Sequence, residues 1–487
     1  MLLSLALMAG RLAGFGRELV LASSLGLSAE ADMAVLLLTL PDLLVNLLLS
    51  GGLAIALVPA LQQAGPSQAA RLFQQSSLWV AGLFSVLGVI VAFAPEIWLS
   101  ALAPGVRVPS ELAASGLLIA LGASLPLSAL AGISSAALQS HQRFFVAGCG
   151  TLIFNLSVIS GLLLSPPGAN QTLMVLCWAI LLGTGLRWFS QLVVMPRSYF
   201  RSHDQEGGLS LSLLKTFGVG LMSASLLILA PVMVRSLASL LGPGQLAGFN
   251  FANKLIELPL GILITTLATI AYPRLCEMHS QGDPSGAKQV FSNALGRGLV
   301  LAVAVLGTGL CFGDAVVALL LQRGKIDANG AATIAQLLSI ALFSVPLVSI
   351  SSLATAALNA RQQAALVLKL TLVALLALLA LSAPGIYLGS GPMLMGGFVG
   401  FHAVYAGLTL WQLRAGPAGG AFGLEPKIPS ALVFTALVCA AGALADHYLA
   451  ATSPWERSAL AVLTFGLSAA AGLRTFSNPN SSPRAAE

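Results

Sequence analysis

The sequence has 487 residues, of which 57% are hydrophobic and only 8% are charged. Soluble domains carry about 25% charged residues, so this composition excludes an ordinary soluble protein. The net charge of +6 contains no long basic run, so it does not indicate nucleic-acid binding. Apolar segments long enough to cross a ~30 Å hydrocarbon core recur along the chain and are continuous rather than alternating, which excludes an outer-membrane barrel.

We therefore predict an all-α polytopic membrane protein with about fourteen transmembrane helices. The first segment, MLLSLALMAG, has no basic start and no small-residue cleavage site, so it predicts a helix rather than a signal peptide. The predicted spans are 2–25, 31–61, 75–95, 111–139, 144–165, 171–195, 211–241, 246–274, 289–321, 329–358, 364–384, 391–413, 429–450 and 456–473.

The basic residues of the loops predict the orientation. Eleven lie in the even-numbered loops and the C-terminal tail, and four lie in the odd-numbered loops. Because basic residues concentrate in cytoplasmic loops, both termini are expected in the cytoplasm. The loops are short and contain no GxxxxGK[ST] motif, so we expect no ATPase domain, and transport would be driven by a gradient or by another protein.

Known catalytic and metal-binding patterns are absent from the sequence. No GxSxG, HExxH or paired-carboxylate arrangement occurs, which favours a transporter over an enzyme. The five cysteines occur singly, so no disulfide or zinc framework is expected. We predict no metal and no cofactor. Sodium or proton coupling stays open without a located site, with Asp42, Glu257 and Asp314 as candidate carboxylates.

An internal repeat relates the two halves of the chain. LASSLG at 21–26 recurs as LASLLG at 237–242, and AALQSHQ at 136–142 recurs as AALNARQ at 356–362. Five such landmarks keep the same order at offsets of 214 to 220 residues. The repeat maps spans 1–6 onto spans 7–12 and, because six is even, both copies share one orientation in the membrane.

The repeat therefore predicts two parallel six-helix lobes related by a pseudo-two-fold axis along the membrane normal. The expected N-lobe covers residues 1–200 and the C-lobe covers residues 201–415. Residues 416–487 form a C-terminal helix pair and a short cytoplasmic tail outside the duplication.

Ionisable residues inside the apolar spans are the main functional signal, since each costs about 2.5–3.5 kcal/mol on insertion. The second span carries Thr39, Asp42, Asn46 and Ser50 at spacings of 3, 4 and 4, which places them on one helix face. The eighth span carries a similar stripe. We expect these stripes to line a water-filled cavity between the lobes that binds an anionic head group.

Candidate residues follow from these stripes and from the first span. The candidate cavity residues are Arg11, Arg17, Asp32, Asp42, Asn46, Lys254 and Glu257, with Glu18, Asn253, Arg187 and Arg297 as secondary candidates. The candidate gating or hinge positions are Gly14, Pro41, Gly51, Gly52 and Pro259.

Structural alternatives stay open for several of these residues. The pairs Arg17–Glu18 and Lys254–Glu257 could each be an ion pair that only holds helices together. For Asp32, a role as a helix cap is as well supported as a role in the cavity. Arg235 is expected at a helix end.

Several motifs of the first two-thirds of the chain resemble the MurJ/MviN lipid II flippase family of the MOP exporter superfamily. They include RLAGFGRE at 11–18, AEAD at 29–32, LPDLL at 40–44, NKLIELPLG at 253–261 and LLLQRGKID at 319–327. The resemblance implies export of an undecaprenyl-pyrophosphate-linked peptidoglycan precursor from the inner to the outer leaflet of the bacterial inner membrane by alternating access. The implied partners are this lipid-linked glycan, the bilayer and cell-wall synthesis proteins.

The resemblance also assigns residues. Arg11, Arg17 and Asp32 match polar motif residues, and Lys254 stands where the family usually has arginine, followed by the matching Glu257. The family's cavity arginines are expected to hold the pyrophosphate.

The chain departs from the family where Val45 and Asn46 follow LPDLL, since the family commonly has a basic pair there, and Ser50 replaces a typical glutamate. Losing guanidinium groups removes phosphate-binding donors, so the cavity is expected to be less basic. Two alternatives therefore stay open. One is a flippase for another polyprenyl-linked glycan or a MATE-like small-molecule antiporter, and the other is a non-transporting envelope-assembly scaffold.

Overall fold

The computed structural model of the chain describes residues 2–47, 56–114, 116–200, 211–415, 427–448 and 453–477. Within these ranges it contains α-helices, short 3₁₀ and π-helical turns, and no β-strand. The helices are α1 (Leu2–Leu25), α2 (Ala29–Leu47), α3 (Val58–Gln63), α4 (Pro66–Phe93), α5 (Pro95–Leu102), α6 (Ser110–Ala114), α7 (Leu118–Ser140), α8 (Phe144–Leu163), α9 (Ala169–Val194), α10 (Leu211–Ala238), α11 (Gln245–Pro259), α12 (Thr265–Ser280), α13 (Pro284–Leu321), α14 (Ala328–Ala341), α15 (Ser344–Ala360), α16 (Ala364–Tyr387), α17 (Gly391–Ala415), α18 (Lys427–Tyr448) and α19 (Pro454–Ser477).

Helices long and apolar enough to cross a membrane dominate the described part of the chain. Nine continuous helices meet this condition, and a tenth span is formed if α14 and α15, which meet at 42°, are counted as one. Four further long helices, α1, α2, α10 and α19, are outside this set, and α1 and α2 each carry three ionisable residues. The all-α polytopic fold class is confirmed, and the number of fourteen spans stays a prediction.

The internal repeat is visible in the way that two helices end. α7 and α15 are followed by Gln142 and Gln362, which have φ angles of 59° and 60° and are the two non-glycine residues with positive φ among the residues described. After α7, the Arg143 amide donates to the Leu138 carbonyl at 2.8 Å, and after α15 the Gln363 amide donates to the Leu358 carbonyl at 3.1 Å.

These bonds are those of a Schellman motif, whose left-handed residue is usually glycine. The two glutamines occupy equivalent positions of AALQSHQ and AALNARQ, so the sequence repeat is also a repeat of backbone geometry.

Helix starts repeat in the same way. α4 and α13 both begin with proline, at Pro66 and Pro284, 218 residues apart. Proline suits this first helical position because its missing amide would have no partner there and its φ is already helical.

The chain forms two compact units. Unit 1 comprises Met1–Phe251 with Gly324–Ile326, and unit 2 comprises Ala252–Arg323 with Asp327–Glu487. In unit 1, α4 packs on α7 and α8 packs on both α1 and α9. In unit 2, α16 packs on α17, and α13 packs on α15, α18 and α19. The predicted lobe limits at residues 200 and 415 stay a prediction.

The C-terminal helix pair is fastened to α13 within unit 2 by an ion-pair cluster. Arg457 at the start of α19 donates from Nη1 to Asp314 at 2.7 Å and from Nε to both oxygens of Asp446 at 3.0 Å. Close packing accompanies it, since a Cβ at Gly307 of α13 would lie 2.7 Å from the sulfur of Cys439 on α18. Asp314, a candidate for ion coupling, is thus paired with an arginine.

The strained glutamines give a stability prediction. Replacing Gln142 or Gln362 by glycine removes the cost of a left-handed side chain, and each change should raise the free energy of unfolding by about 0.5–1 kcal/mol after the extra flexibility of the unfolded chain is counted. Thermal unfolding in detergent measures the effect. A β-branched residue suits this conformation least, so Gln142→Val should lower the melting temperature. A lower melting temperature for both glycine variants would contradict the assignment.

Candidate functional site

Arg17 is a buried cation of α1 and lies next to a buried carboxylate. It is 5% exposed, and the adjacent Glu18 is 4% exposed. The Arg17 Nη2 atom donates to Glu18 Oε1 at 2.8 Å and to Asp42 Oδ2 of α2 at 3.0 Å. Its guanidinium carbon lies 5.9 Å from the centre of the Phe154 ring on α8. Two carboxylates and an aromatic ring therefore surround this one cation, as a buried charge requires.

A second arginine continues the set of contacts. Arg235, in the last turn of α10, donates from Nη1 to Asn250 Oδ1 at 3.0 Å and to Thr39 Oγ1 at 3.4 Å. The Asn250 amide of α11 donates in turn to Glu18 Oε2 at 2.8 Å. Four helices of unit 1 thus contribute to one connected cluster. We call the following residues the polar network: Arg17, Glu18, Thr39, Asp42, Arg235 and Asn250.

The formal charges of the polar network cancel, since two arginines face two carboxylates. Its exposure is uneven: the side chain of Asp42 is 39% exposed, whereas those of Arg17 and Glu18 are 6% and 5% exposed. Around Arg17, the accessible group is therefore a carboxylate and not the cation.

Asp32 has a different role in the same unit. It is 1% exposed, and its two oxygens accept the backbone amides of Gly244 and Ala247, both at 2.7 Å. These amides lie at the start of α11, where backbone N–H groups lack helical partners and the helix dipole favours an anion. Gly244 has a φ of +80°, and a Cβ there would lie 2.6 Å from the carbonyl carbon of Leu27, so the approach requires glycine. Asp32 therefore caps α11, and its contact with a substrate stays a prediction.

Two crossed contacts lie at the same end of unit 1. The amide of Gly105 donates to Ser239 Oγ at 3.1 Å, and the amide of Lys325 donates to the Ser23 carbonyl at 2.9 Å. Gly105 packs on the Ser239 carbonyl and Gly324 packs on the Ser23 carbonyl, and neither position has room for a Cβ. The serines occupy the same position of LASSLG and LASLLG, so each copy of the repeat packs a glycine on the serine of the other.

Arg187 and Gln191 lie on one face of α9, because residues four apart are neighbours on a helix surface. They are 4% and 0% exposed, and a Cβ at Gly150 of α8 would lie 3.0 Å from Arg187 Cγ and 3.1 Å from Gln191 Nε2. Among the described residues, Arg187 Nε and both amide atoms of Gln191 have no hydrogen-bond partner. The carboxylate whose charge acts on Arg187 is Asp42.

In unit 2, α11 brings three of the predicted residues together. Lys254 Nζ lies 2.6 Å from Glu257 Oε2, and the Asn253 amide donates to Glu257 Oε1 at 2.8 Å. All three lie on one helix and are partly exposed, so the ion pair is local to α11 and, within the described ranges, is bonded to no second helix.

The remaining polar candidates are exposed. Arg11 and Arg297 lie on the exposed sides of α1 and α13, and Asn46 is exposed near the end of α2.

The predicted gating positions differ in their surroundings. Gly14 lets α1 approach α8, since a Cβ there would lie 3.3 Å from the Asn155 amide nitrogen. Pro41 is buried inside α2, and Pro259 directly precedes a π-helical turn at Leu260–Ile264. Gly51 and Gly52 lie outside the described residues.

Sequence reasoning missed the role of Arg235. It placed this residue at a helix end, which is correct, but did not connect it to Glu18 through Asn250. The repeat contains the missing signal: offsets of 216 to 218 residues place Arg235 opposite positions 17 to 19, the turn that carries Arg17.

Comparisons with known proteins agree with this architecture. A sequence model of the family described as "Lipid II flippase MurJ" matches residues 21–458. The lipid II flippase MurJ of Burkholderia cenocepacia is 24% identical over 363 residues, which cover 70% of this chain and 68% of the relative. A probable lipid II flippase MurJ of Buchnera aphidicola is 24% identical over 368 residues, which cover 72% of this chain and 71% of the relative.

Solved structures show the same fold. A lipid II flippase MurJ in an inward closed conformation matches with a TM-score of 0.81 at 16% identity, covering 98% of this chain and 100% of the other. An inward-facing multidrug resistance MATE family transporter of the MOP superfamily matches with a TM-score of 0.68 at 15% identity, covering 84% and 94% of the two chains.

The cap at α11 gives a second prediction. Asp32→Ala leaves two buried backbone amides without partners and should lower the free energy of unfolding by about 2 kcal/mol, as measured by thermal unfolding in detergent. The matched control is Asp283→Ala, which removes an exposed cap of α13 that accepts the Gly286 amide at 2.9 Å and should cost about 0.5–1 kcal/mol. If both variants lose the same free energy of unfolding, the buried cap stabilises the protein no more than the exposed cap does.

Proposed function

Because the chain belongs to the lipid II flippase MurJ family, we propose that it moves lipid II, a polyprenyl-pyrophosphate-linked peptidoglycan precursor, from the inner to the outer leaflet of the bacterial inner membrane. The observation that carries the proposal is the buried Arg17 of the polar network, which lies in the family-like RLAGFGRE motif. A charged side chain inside an apolar helix is costly and marks a functional site by default. Its guanidinium group matches the oxygens of a pyrophosphate.

The proposed role of Arg17 is to bind the pyrophosphate, with Lys254 as the second candidate donor. Lysine supplies a point charge where the family usually has a planar guanidinium group. This difference makes Arg17 the stronger expected contributor of directed hydrogen bonds.

The proposed transport cycle is alternating access. It is supported by the contacts at one end of unit 1, where Asp32 holds the start of α11 and the crossed glycine–serine contacts join the two copies of the repeat. These bonds would have to break for that end to open. With both termini in the cytoplasm, as the basic loops predict, this end faces away from the cytoplasm.

The proposed driving force is a gradient rather than ATP. An anionic head group gains about 2.3 kcal/mol per charge for each 100 mV of membrane potential. Within the described ranges no three His, Cys, Asp or Glu side chains cluster as a metal site would require. Asp42 and Glu257 stay candidates for sodium or proton coupling, and cell-wall synthesis proteins stay candidate partners.

A second candidate function is a flippase for a different polyprenyl-linked glycan. The exposed carboxylate of Asp42 and the absence of the basic pair at Val45 and Asn46 favour it, because both make the site less basic. Capture of lipid II by the purified protein separates the two candidates.

The third prediction tests Arg17 in cells depleted of their own lipid II flippase. Arg17→Lys keeps the charge that Glu18 and Asp42 need but loses the planar donor set, so it should reduce growth rescue by at least about tenfold at a normal protein level. Arg17→Ala should abolish rescue. Arg414→Ala, which removes an exposed arginine of α17, is the control and should rescue fully. Full rescue by both Arg17 variants would contradict the proposed role.

A further inference from the structure

An anionic head group cannot reach Arg17 in the arrangement described. The guanidinium group is almost wholly enclosed, and its Nη2 atom already donates to Glu18 and Asp42. The buried Nε atom of Arg17 has no hydrogen-bond partner among the described residues. Binding of a phosphate to the Nη2 atom of Arg17 therefore requires one of the two carboxylates to leave.

Glu18 is the carboxylate that is held in place. It is 4% exposed and lies within the continuous helix α1. It also accepts a second hydrogen bond, from the Asn250 amide at 2.8 Å. Asn250 is itself bonded to Arg235 at 3.0 Å. Moving Glu18 would leave the buried amide group of Asn250 without its carboxylate acceptor, which is costly.

Asp42 is the carboxylate that can move. Its side chain is 39% exposed, and Arg17 is its hydrogen-bond partner in the described part of the chain. The preceding residue, Pro41, has no backbone N–H, so α2 lacks one helical hydrogen bond immediately before Asp42. This turn is therefore less firmly held than the rest of the helix.

The same carboxylate acts on a second buried cation. Arg187 on α9 is 4% exposed, and Asp42 is the carboxylate that attracts it electrostatically. Displacement of Asp42 would thus remove a negative charge from the surroundings of two buried guanidinium groups.

We propose that Asp42 is an internal competitor for the anionic head group and thereby a specificity-determining residue of this site. Its carboxylate occupies Arg17, and a pyrophosphate displaces it. A ligand must then bring more negative charge and more acceptor oxygens than one carboxylate, which a pyrophosphate does and a neutral polyprenol does not. A single phosphate gains less from the exchange, so Asp42 selects for the pyrophosphate. This inference rests on the proposed function.

The test is a binding titration of the purified full-length protein in detergent with undecaprenyl pyrophosphate, undecaprenyl phosphate and undecaprenol. Asp42→Asn keeps the shape of the side chain and removes its charge, so it should bind undecaprenyl pyrophosphate about fivefold more tightly, as expected for loss of a partly exposed competing ion pair. It should also discriminate less between pyrophosphate and phosphate. Asp42→Glu keeps the competing charge and should retain the wild-type affinity.

Asp314→Asn is the matched control. It removes the charge of another partly exposed aspartate that accepts an arginine hydrogen bond, at 2.7 Å from Arg457, but it belongs to unit 2. It should leave both affinities unchanged. A second neutral variant, Asp42→Ser, replaces Asp42→Asn if thermal unfolding shows that the asparagine protein does not fold.

The outcomes separate this inference from the proposed function. Unchanged or weaker pyrophosphate binding by the neutral Asp42 variants, with Arg17→Lys still weakening binding, would overturn the competitor role and leave the flippase proposal standing. Binding by Asp42→Asn alone, with none by the wild-type protein, would support the competitor role. If no variant binds the pyrophosphate better than undecaprenol, both proposals fail.

Discussion

The neutralisation of Arg17 inside an apolar helix organises the surrounding part of unit 1. An unpaired buried charge would cost several kcal/mol, so Arg17 needs partners of opposite charge close by. α2 contributes Asp42, α1 itself contributes Glu18, and α11 supports Glu18 through Asn250. The relative positions of these helices are consequently coupled, because a shift of one helix breaks a hydrogen bond of another. This coupling is the property that a transporter with two states requires.

The two aspartates of α2 have different roles. Asp32 is bonded at the first turn to the start of α11, and Asp42 is bonded ten residues later to Arg17. At 1.5 Å per residue, they lie about 15 Å apart along the helix. Asp32 is fully enclosed and holds backbone amides, whereas Asp42 is partly exposed and holds a side chain. One acid therefore fixes an end of the unit, and the other is available to a ligand.

Local sequence patterns predicted what depends on local physics. Apolar run length indicated the helices, and the AALQSHQ repeat indicated equivalent helix ends, which Gln142 and Gln362 confirm. Such local patterns could not predict which residues distant in sequence form hydrogen bonds with one another. Asp32 was equally consistent with a cap or with a cavity residue until its bonds to Gly244 and Ala247 placed it at α11. Arg235 is joined to Glu18 through Asn250, a relation that spacing along one helix cannot contain.

The low basicity of the site is compatible with transport, because a carrier must release what it binds. A ligand site serves movement when binding is favourable enough to admit the ligand and weak enough to let it leave. A cavity with Arg17, Arg187 and an additional basic pair would hold a pyrophosphate strongly and slow its release. Here Val45 and Asn46 supply no such charge, and Asp42 offsets part of the remaining positive field. Since the same carboxylate can return to Arg17 when the head group departs, it lowers the cost of release by restoring a partner to the buried cation.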